Sequence, residues 1–169
     1  MVKKSLKLIL FLFFVCFFPA AGAGEDLTWK LDTRAWKEGF HKEAANKSMI
    51  SEYVIAPETV YNWKELVTVQ EFYGLQQVIS PQTYLAGLEK QLKKVCPKIK
   101  CKTFDYNGSI IYEFLVINCP GQDNQQELGR VIRGQEGIWV LHYATKKIPL
   151  SNDDRNKWIE ILKSAKLSA

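Results

Sequence analysis

The dipeptide Asn107-Gly108, which lies between two apolar segments, constrains the fold of this chain more than any other feature. Asparagine and glycine adopt positive φ angles more readily than other residues, and a two-residue hairpin turn requires such angles. We therefore predict an antiparallel hairpin within residues 95–119, in which Tyr106 pairs with Ser109. This turn sets the register of both strands, because every further pair follows from the first.

The hairpin register also predicts a disulfide. Continued to the open end of the hairpin, it places Cys96 opposite Cys119. A bridge there closes a loop of 24 residues and stabilises the folded state by about 3.4 kcal/mol on the chain-entropy model. Cys101 falls opposite Phe114, points to the other face of the hairpin and stays unpaired. Pro97 weakens the register at this end, because proline donates no hydrogen bond to a ladder.

Residues 1–23 have the composition of a signal peptide. Three lysines precede an apolar run of 11 residues, and Ala21-Gly22-Ala23 fits the small-residue cleavage rule. A membrane anchor is the alternative, but the run is shorter than the roughly 18 residues that cross a bilayer. Lipid attachment at Cys16 is disfavoured because the residues before it are bulky. We predict cleavage after Ala23 and a periplasmic or secreted location.

Cleavage at that position leaves one domain, residues 24–169, with a small net charge. The full chain of 169 residues carries 23 basic and 18 acidic residues, and the predicted signal peptide takes away three lysines and no acidic residue, which leaves +2. This balance argues against nucleic acid as a partner. The remaining length is sufficient for a single domain with its own core.

Further strands are predicted downstream and upstream of the first hairpin. A second hairpin turns at residues 134–137 and pairs Arg133 with Ile138. The segment 66–73 alternates as a strand does. Residues 110–117 and the strands of the second hairpin are apolar on both faces, which is typical of strands buried on both sides.

Two amphipathic helices are predicted to cover those faces. Ser80-Pro81 is a helix-start signal, and leucines recur at helical spacing over residues 81–94. Ser151 begins a second helix, with acidic residues in its first turn and an apolar stripe that includes Trp158. We therefore predict an α+β fold, an antiparallel sheet flanked by helices on both faces in an α/β/α sandwich.

Four titratable residues lie within the predicted strands: Glu113, Glu127, Arg130 and His142. A charge among apolar side chains is costly unless it is paired. The favoured interpretation is an internal ion pair of Arg130 with Glu113 or Glu127, together with a packed His142 whose ring covers Gly129. The alternative is one cavity in which Glu113, Arg130 and His142 bind a small ligand or act as an enzyme.

No sequence motif predicts a catalytic residue, a metal or a cofactor. A Gly-rich phosphate loop, paired metal ligands and a nucleophile elbow are all absent from the sequence. Cys96 and Cys101 form a C-x4-C pair, but a chain with two histidines offers poor zinc-ligand spacing. A reactive Cys101 remains the alternative to a small buried residue at that position.

Lysines cluster at the end of the first helix and along the strand that follows it. They are Lys93, Lys94, Lys98, Lys100 and Lys102. The favoured interpretation is a solvated helix end and strand face. The alternative is a patch that attaches the protein to an anionic membrane surface.

Several segments resemble a family of small secreted proteins of gram-negative bacteria. The resemblance rests on the segments ETVYNWKELVTVQEF, IIYEFLVINC and ELGRVIRGQEGIWVLHYATK, on the helix that ends in Cys-Pro and on the closing Trp-containing helix. It spans roughly residues 52–167. It implies the Mog1/PsbP-like α/β/α sandwich and a disulfide between Cys96 and Cys119. Relatives of that fold mostly act as protein-binding or assembly modules.

The sequence therefore supports two hypotheses of different kinds. The first is an exported, non-enzymatic binding or assembly protein that engages another protein through a sheet edge or a helix face, in the periplasm or beyond it. The second is a small enzyme or ligand-binding protein that uses Glu113, Arg130 and His142. We favour the first, because relatives of the fold that the resemblance implies mostly bind proteins and no catalytic motif supports the second. Fold alone does not determine function.

Overall fold

The computed structural model describes residues 24–168, so the predicted signal peptide lies outside the described residues. Within that range the chain forms nine strands and two α-helices. The strands are β1 (Asp26–Thr28), β2 (Trp36–Glu43), β3 (Met49–Ile55), β4 (Glu65–Tyr73), β5 (Lys100–Tyr106), β6 (Ser109–Val116), β7 (Gln125–Arg133), β8 (Gly137–Thr145) and β9 (Lys166–Ser168). The helices are α1 (Pro81–Val95) and α2 (Asn152–Ser164), and a short 3-10 helix spans Leu75–Gln77.

Seven of these strands form one antiparallel sheet. Their order across the sheet is β2-β3-β4-β8-β7-β6-β5, so β2 and β5 are its two edges. The remaining strands, β1 and β9, pair with each other in an antiparallel ribbon that joins the two ends of the described chain. All of the strand pairs within the sheet are antiparallel.

The first predicted hairpin is confirmed. Asn107 and Gly108 have φ angles of 46° and 75°, as a two-residue hairpin turn requires. The β5–β6 ladder runs without interruption from the pair Tyr106–Ser109 to the pair Lys100–Leu115. The register deduced from the turn therefore holds along the whole of β5.

The predicted disulfide is also confirmed. Cys96 and Cys119 are bonded, with their Cα atoms 5.1 Å apart. They lie beyond the end of the ladder, because β5 begins at Lys100. Strand alternation consequently does not extend from Cys101 to Cys96. Cys101 is unpaired as predicted, but it packs against the same apolar cluster as the disulfide and not on the opposite face.

The second hairpin and both helix starts agree with the sequence predictions. Arg133 pairs with Ile138 in the β7–β8 ladder. The Oγ atom of Ser80 accepts a hydrogen bond from the Thr83 amide at 3.1 Å, which caps α1. Ser151 caps α2 in the same way, with its Oγ atom 3.1 Å from the Asp154 amide nitrogen.

The predicted α/β/α sandwich is wrong. The described chain is mostly β structure. It consists of a seven-stranded sheet and a two-stranded ribbon, with only two α-helices, of 15 and 13 residues. β6 and β8 are buried on both faces, as their sequences indicate. The error lies in the deduction that helices would supply the cover on both sides.

Irregular chain provides much of that cover. On the face where α2 packs, the α2 face, Trp29 and Leu31 of the irregular segment after β1 join the apolar cluster around Trp158, together with Trp36 at the start of β2. On the opposite face, the α1 face, α1 covers one region, and Val60 and Trp63 of the β3–β4 connection form part of a separate apolar cluster. These side chains come from segments without helical periodicity, so the sequence pattern did not reveal their role.

Replacing Cys96 and Cys119 together by alanine should lower the free energy of unfolding by about 3 kcal/mol, since the bridge restricts the unfolded chain. Chemical denaturation of the oxidised protein measures this change. Cys101→Ala is the matched control and should leave the bridge intact, with a change below about 1.5 kcal/mol. A peptide map that links Cys101 to either other cysteine would contradict the assignment.

Candidate functional site

The four titratable residues singled out in the strands do not form one cluster. Glu113 lies opposite Leu128, which belongs to the α2-face core, and Arg130 contacts the end of α2. Glu127 and His142 lie on the α1 face, where they are bonded to each other. The sheet therefore separates His142 from Glu113 and Arg130, so the structure does not bring together the three residues of the alternative cavity.

Glu113 is held in a complete hydrogen-bonded arrangement. Its Oε2 atom accepts from the Nε and Nη2 atoms of Arg155 at 3.0 and 2.9 Å, and its Oε1 atom accepts from Gln126 at 2.6 Å. Gln126 in turn accepts from the Leu150 amide at 2.9 Å. Burial raises the pKa of Glu113, but the hydrogen bonds from Arg155 and Gln126 outweigh it and lower the pKa below its ordinary value. These contacts link β6 and β7 to the start of α2.

Arg130 binds the other end of α2. Its Nη1 atom donates to the carbonyl oxygens of Leu162, Lys163 and Ala165 at 3.0, 3.1 and 2.9 Å, and its Nε atom donates to the Oγ atom of Ser109 at 2.8 Å. The last carbonyls of a helix lack intrahelical partners, and the helix dipole favours a cation there. The predicted ion pair with Glu113 or Glu127 does not form, because each carboxylate has another partner.

Glu113 and Arg130 thus hold α2 at both ends. The sheet places a carboxylate beside Arg155 in the first turns of the helix and a guanidinium at its last carbonyls. Negative charge near the start and positive charge at the end complement the helix dipole. This arrangement accounts for two of the four strand charges as structural groups.

Replacing Arg130 by methionine should lower the free energy of unfolding by about 2–3 kcal/mol, because it removes the charged donor to three carbonyl oxygens at the end of α2. Arg133→Met is the matched control on the same strand, since Arg133 is exposed and donates to the Gln76 carbonyl. Arg133→Met should lower the free energy of unfolding by about 1 kcal/mol. Urea denaturation compares the two variants, and an equal loss in both would contradict this role for Arg130.

Glu127 and His142 form a carboxylate–imidazole pair across β7 and β8. The His142 Nδ1 atom and the Glu127 Oε1 atom lie 2.7 Å apart, and the His142 Nε2 atom is buried without a hydrogen-bond partner among the described residues. Burial, and then the charge of Glu127, raise the pKa of Tyr84 and Tyr112 on this face. A general base must lie within hydrogen-bond reach of the group that it deprotonates. Among the described residues, no hydrogen-bonding group lies within that reach of the Nε2 atom of His142.

Gly129 has a different neighbour from the one predicted. It lies opposite both His142 and Tyr112 in the sheet. The space beside its Cα atom is occupied by the ring of Tyr112, so an alanine side chain there would clash with that ring. The expectation that His142 covers the glycine is therefore wrong.

A charged network that the sequence did not predict lies at one end of the α2 face. Asp32 accepts hydrogen bonds from Arg34, Trp36 and Lys157, and Arg34 donates to both carboxylate oxygens of Glu65 at 2.7 and 2.8 Å. Burial raises the pKa of Asp32, but the hydrogen bonds outweigh it and hold the pKa well below its usual range. Asp32, Arg34 and Trp36 occupy every second position of the sequence, which in extended chain places them on one side. This spacing is the sequence feature that could have indicated the network. The network ties the N-terminal segment to β4 and α2.

Five carboxylates gather near the opposite end of the sheet. They belong to Glu25, Asp26, Glu43, Glu71 and Glu136. Glu71 is partly buried, and burial together with the negative charge of the other four raises its pKa to about 7. The Glu25 carboxylate accepts from the Gln135 amide at 2.8 Å, so the N-terminal segment is attached to the β7–β8 turn at this position.

Glu71 makes stability depend on pH. Its pKa in the folded protein lies above the ordinary 4.5, so stability falls as pH rises from about 4.5 to about 7. Glu71→Gln should raise the free energy of unfolding by about 1 kcal/mol at about pH 8, where the carboxylate is charged, and much less at about pH 4, where it is protonated. Solvent screening of the half-exposed group keeps the change small. Thermal unfolding at both pH values tests this. Asp105→Asn, which removes an exposed carboxylate elsewhere, is the matched control for the loss of one negative charge.

The lysine-rich segment forms one edge of the sheet. β5 has seven residues, most of them exposed, and β6 is its one neighbour within the described sheet. Cys101 packs towards the α1 face, so strand alternation places Lys100, Lys102 and Phe104 on the α2 side. Burial, and then the charge of Glu89, raise the pKa of the Cys101 thiol to about 11, which opposes formation of a reactive thiolate at neutral pH.

Lys93 and Lys94 occupy a different position from the strand lysines. Both lie in the last turn of α1, which packs on the α1 face. Lys93 forms an ion pair with Glu89 one turn earlier in the helix, with a distance of 2.7 Å. The five lysines predicted as one patch therefore divide between the end of a helix, the connection at Lys98 and the opposite side of β5.

No protein-family model matches the chain, and no curated protein matches its sequence. The resemblance to the small secreted bacterial family stays a prediction. Among residues 24–168, neither helix is both long enough and apolar enough to cross a membrane. The same residues contain no group of three or more His, Cys, Asp or Glu side chains arranged to bind a metal ion.

Proposed function

We propose that this protein is an exported binding or assembly protein that engages another protein through the free edge of β5. Support for export comes from the composition of residues 1–23. Support for binding in preference to catalysis comes from the strand charges. Glu113 and Arg130 hold α2, and Glu127 is bonded to His142.

The observation that carries the proposal is the geometry of β5. It is a regular strand that pairs with β6 at every residue from Lys100 to Tyr106, without a bulge. Its second edge has no strand beside it in the described chain. An extended segment of a partner can add to such an edge through main-chain hydrogen bonds, as in known modes of peptide recognition.

The other edge of the sheet is less suited to this role. β2 has an irregularity between Glu38 and Phe40, where its pairing with β3 shifts. A bulge of this kind twists an edge strand and interrupts the row of free backbone groups, which protects the edge from pairing. β5 lacks that protection, so the two edges provide an internal comparison.

Alternate residues of β5 direct their backbone groups outward. In a two-residue hairpin the pair next to the turn, here Tyr106 and Ser109, exchanges hydrogen bonds. Counting back along the strand, the N–H and C=O groups of Asp105, Thr103 and Cys101 point away from β6. Proline at one of these positions removes an outward donor and leaves the ladder with β6 intact.

A photo-crosslinking amino acid in place of Phe104, in cells that export the protein, should capture a discrete partner. Thr103→Pro should abolish that adduct, since it removes an outward N–H group from the edge. Thr103→Val keeps the N–H group and should retain the adduct. Asp105→Pro is a second variant of the same design, should Thr103→Pro fail to fold by circular dichroism.

A crosslinker at Lys42 on β2 is the matched control for the other edge. An adduct that forms equally well there, or that survives both proline substitutions in folded protein, would contradict binding through β5. An adduct that depends on the outward N–H groups supports it. The measurement thus separates edge pairing from unspecific contact with neighbouring proteins.

A further inference from the structure

We infer that the partner segment is an acidic extended strand that pairs antiparallel with β5 and places carboxylates opposite Lys100 and Lys102 and an apolar side chain opposite Phe104. This inference rests on the proposed function, because it names the chemistry of the segment that the β5 edge would bind. It follows from the side chains exposed on the α2 side of β5.

Lys100 and Lys102 present positive charge at the surface of β5 without a salt bridge within the described structure. Both side chains are exposed, and neither forms an ion pair with any residue between 24 and 168. Lys102 lies opposite Glu113 on β6, and its charge contributes, after the hydrogen bonds from Arg155 and Gln126, to the lowered pKa of that carboxyl. The salt bridge of Glu113 is with Arg155, so the ammonium group of Lys102 can accept a further carboxylate. An added strand would place its own side chains directly beside these lysines, at the distance where opposite charges on paired strands attract each other.

Phe104 completes the row on the same side. It is 37% exposed, and its neighbour across the ladder, Ile111, is fully buried. An apolar side chain on an added strand would cover the exposed part of the ring. Because an antiparallel partner runs opposite to β5, its order from the N-terminus is an apolar residue, any residue, an acid, any residue and a second acid.

A second copy of this chain fits the row poorly. Its β5 has one acidic residue, Asp105, and alternation places that residue on the side of Cys101 and Thr103. A paired copy therefore brings no carboxylate to Lys100 or Lys102. The favoured occupant is an acidic segment of a different protein.

A membrane surface is also a poorer fit than a strand. Lys100 and Lys102 face the α2 side, whereas Lys93 and Lys94 extend from α1 on the opposite face, with Lys93 held by Glu89. A flat anionic surface attracts lysines that share one plane. A strand added to β5 needs only the row formed by Lys100, Lys102 and Phe104.

Synthetic peptides test this inference. The probe peptide carries valine, glutamate and glutamate, in that order from the N-terminus, separated by single threonines. One control peptide has the reversed order, and a second has lysines in place of the glutamates. The mature protein should bind the glutamate peptide, with NMR amide shifts at Cys101, Thr103 and Asp105. Lys100→Glu with Lys102→Glu should weaken this binding about tenfold and reverse the preference towards the lysine peptide.

Several outcomes would overturn the inference. They are equal binding of the glutamate and lysine peptides, no binding of the glutamate peptide at millimolar concentration, or unchanged binding by the charge-reversal variant. A dimer in sedimentation experiments that Thr103→Pro abolishes would favour a second copy. Binding to vesicles of anionic lipid that survives Thr103→Pro would favour a membrane surface.

The crosslinking experiment in cells also separates failure of this inference from failure of the proposed function. If the cellular adduct depends on the outward N–H groups but is unaffected by Lys100→Glu with Lys102→Glu, the β5 edge binds a partner whose segment is not acidic. If the adduct is independent of both, the proposed function fails as well. Lys37→Glu with Lys42→Glu on β2 is the matched control for the change in net charge.

Discussion

Strands β6, β7 and β8 must be kept from water on both faces, and the rest of the fold is arranged around that requirement. Side chains on both sides of the sheet are almost fully buried, among them those of Ile111, Leu128, Val131 and Leu141. Burial of apolar surface is the dominant favourable term in folding, so each face needs a cover. One helix per face supplies part of it, and the N-terminal segment and the β3–β4 connection supply much of the rest.

The ionisable groups inside this arrangement connect its layers. Glu113 and Arg130 fasten α2 to the sheet at the helix start and the helix end, and the network around Asp32 fastens the N-terminal segment to the same helix. Buried charges of this kind must be paired or hydrogen-bonded, since desolvation is costly. Asp32, Glu113 and Arg130 are therefore structural groups. The recognition surface that we propose, the edge of β5, lies apart from them in the exposed outer strand of the sheet.

Local features were predictable from the sequence with good accuracy. The turn at Asn107-Gly108 set the register of β5 and β6, and the caps at Ser80 and Ser151 marked both helices. The disulfide followed from that register although its cysteines lie beyond the ladder. The α/β/α sandwich failed because Trp29, Trp36 and Trp63 cover the sheet from segments without helical periodicity.

The sequence predicted that polar residues of the central strands are buried, but it did not predict which groups they contact. Glu113 and Arg130 were expected to meet because they lie on adjacent strands, yet each reaches a group of α2 that is distant in sequence.

The amino-acid sequence by itself determined where the chain turns, which residues pair across each hairpin and which cysteines bond, because these depend on backbone angles and neighbouring residues. Only the tertiary structure decided which segments cover the sheet, which groups satisfy the buried charges and which two strands form its edges. Those outcomes depend on contacts between segments far apart in the chain, and no local pattern encodes such contacts.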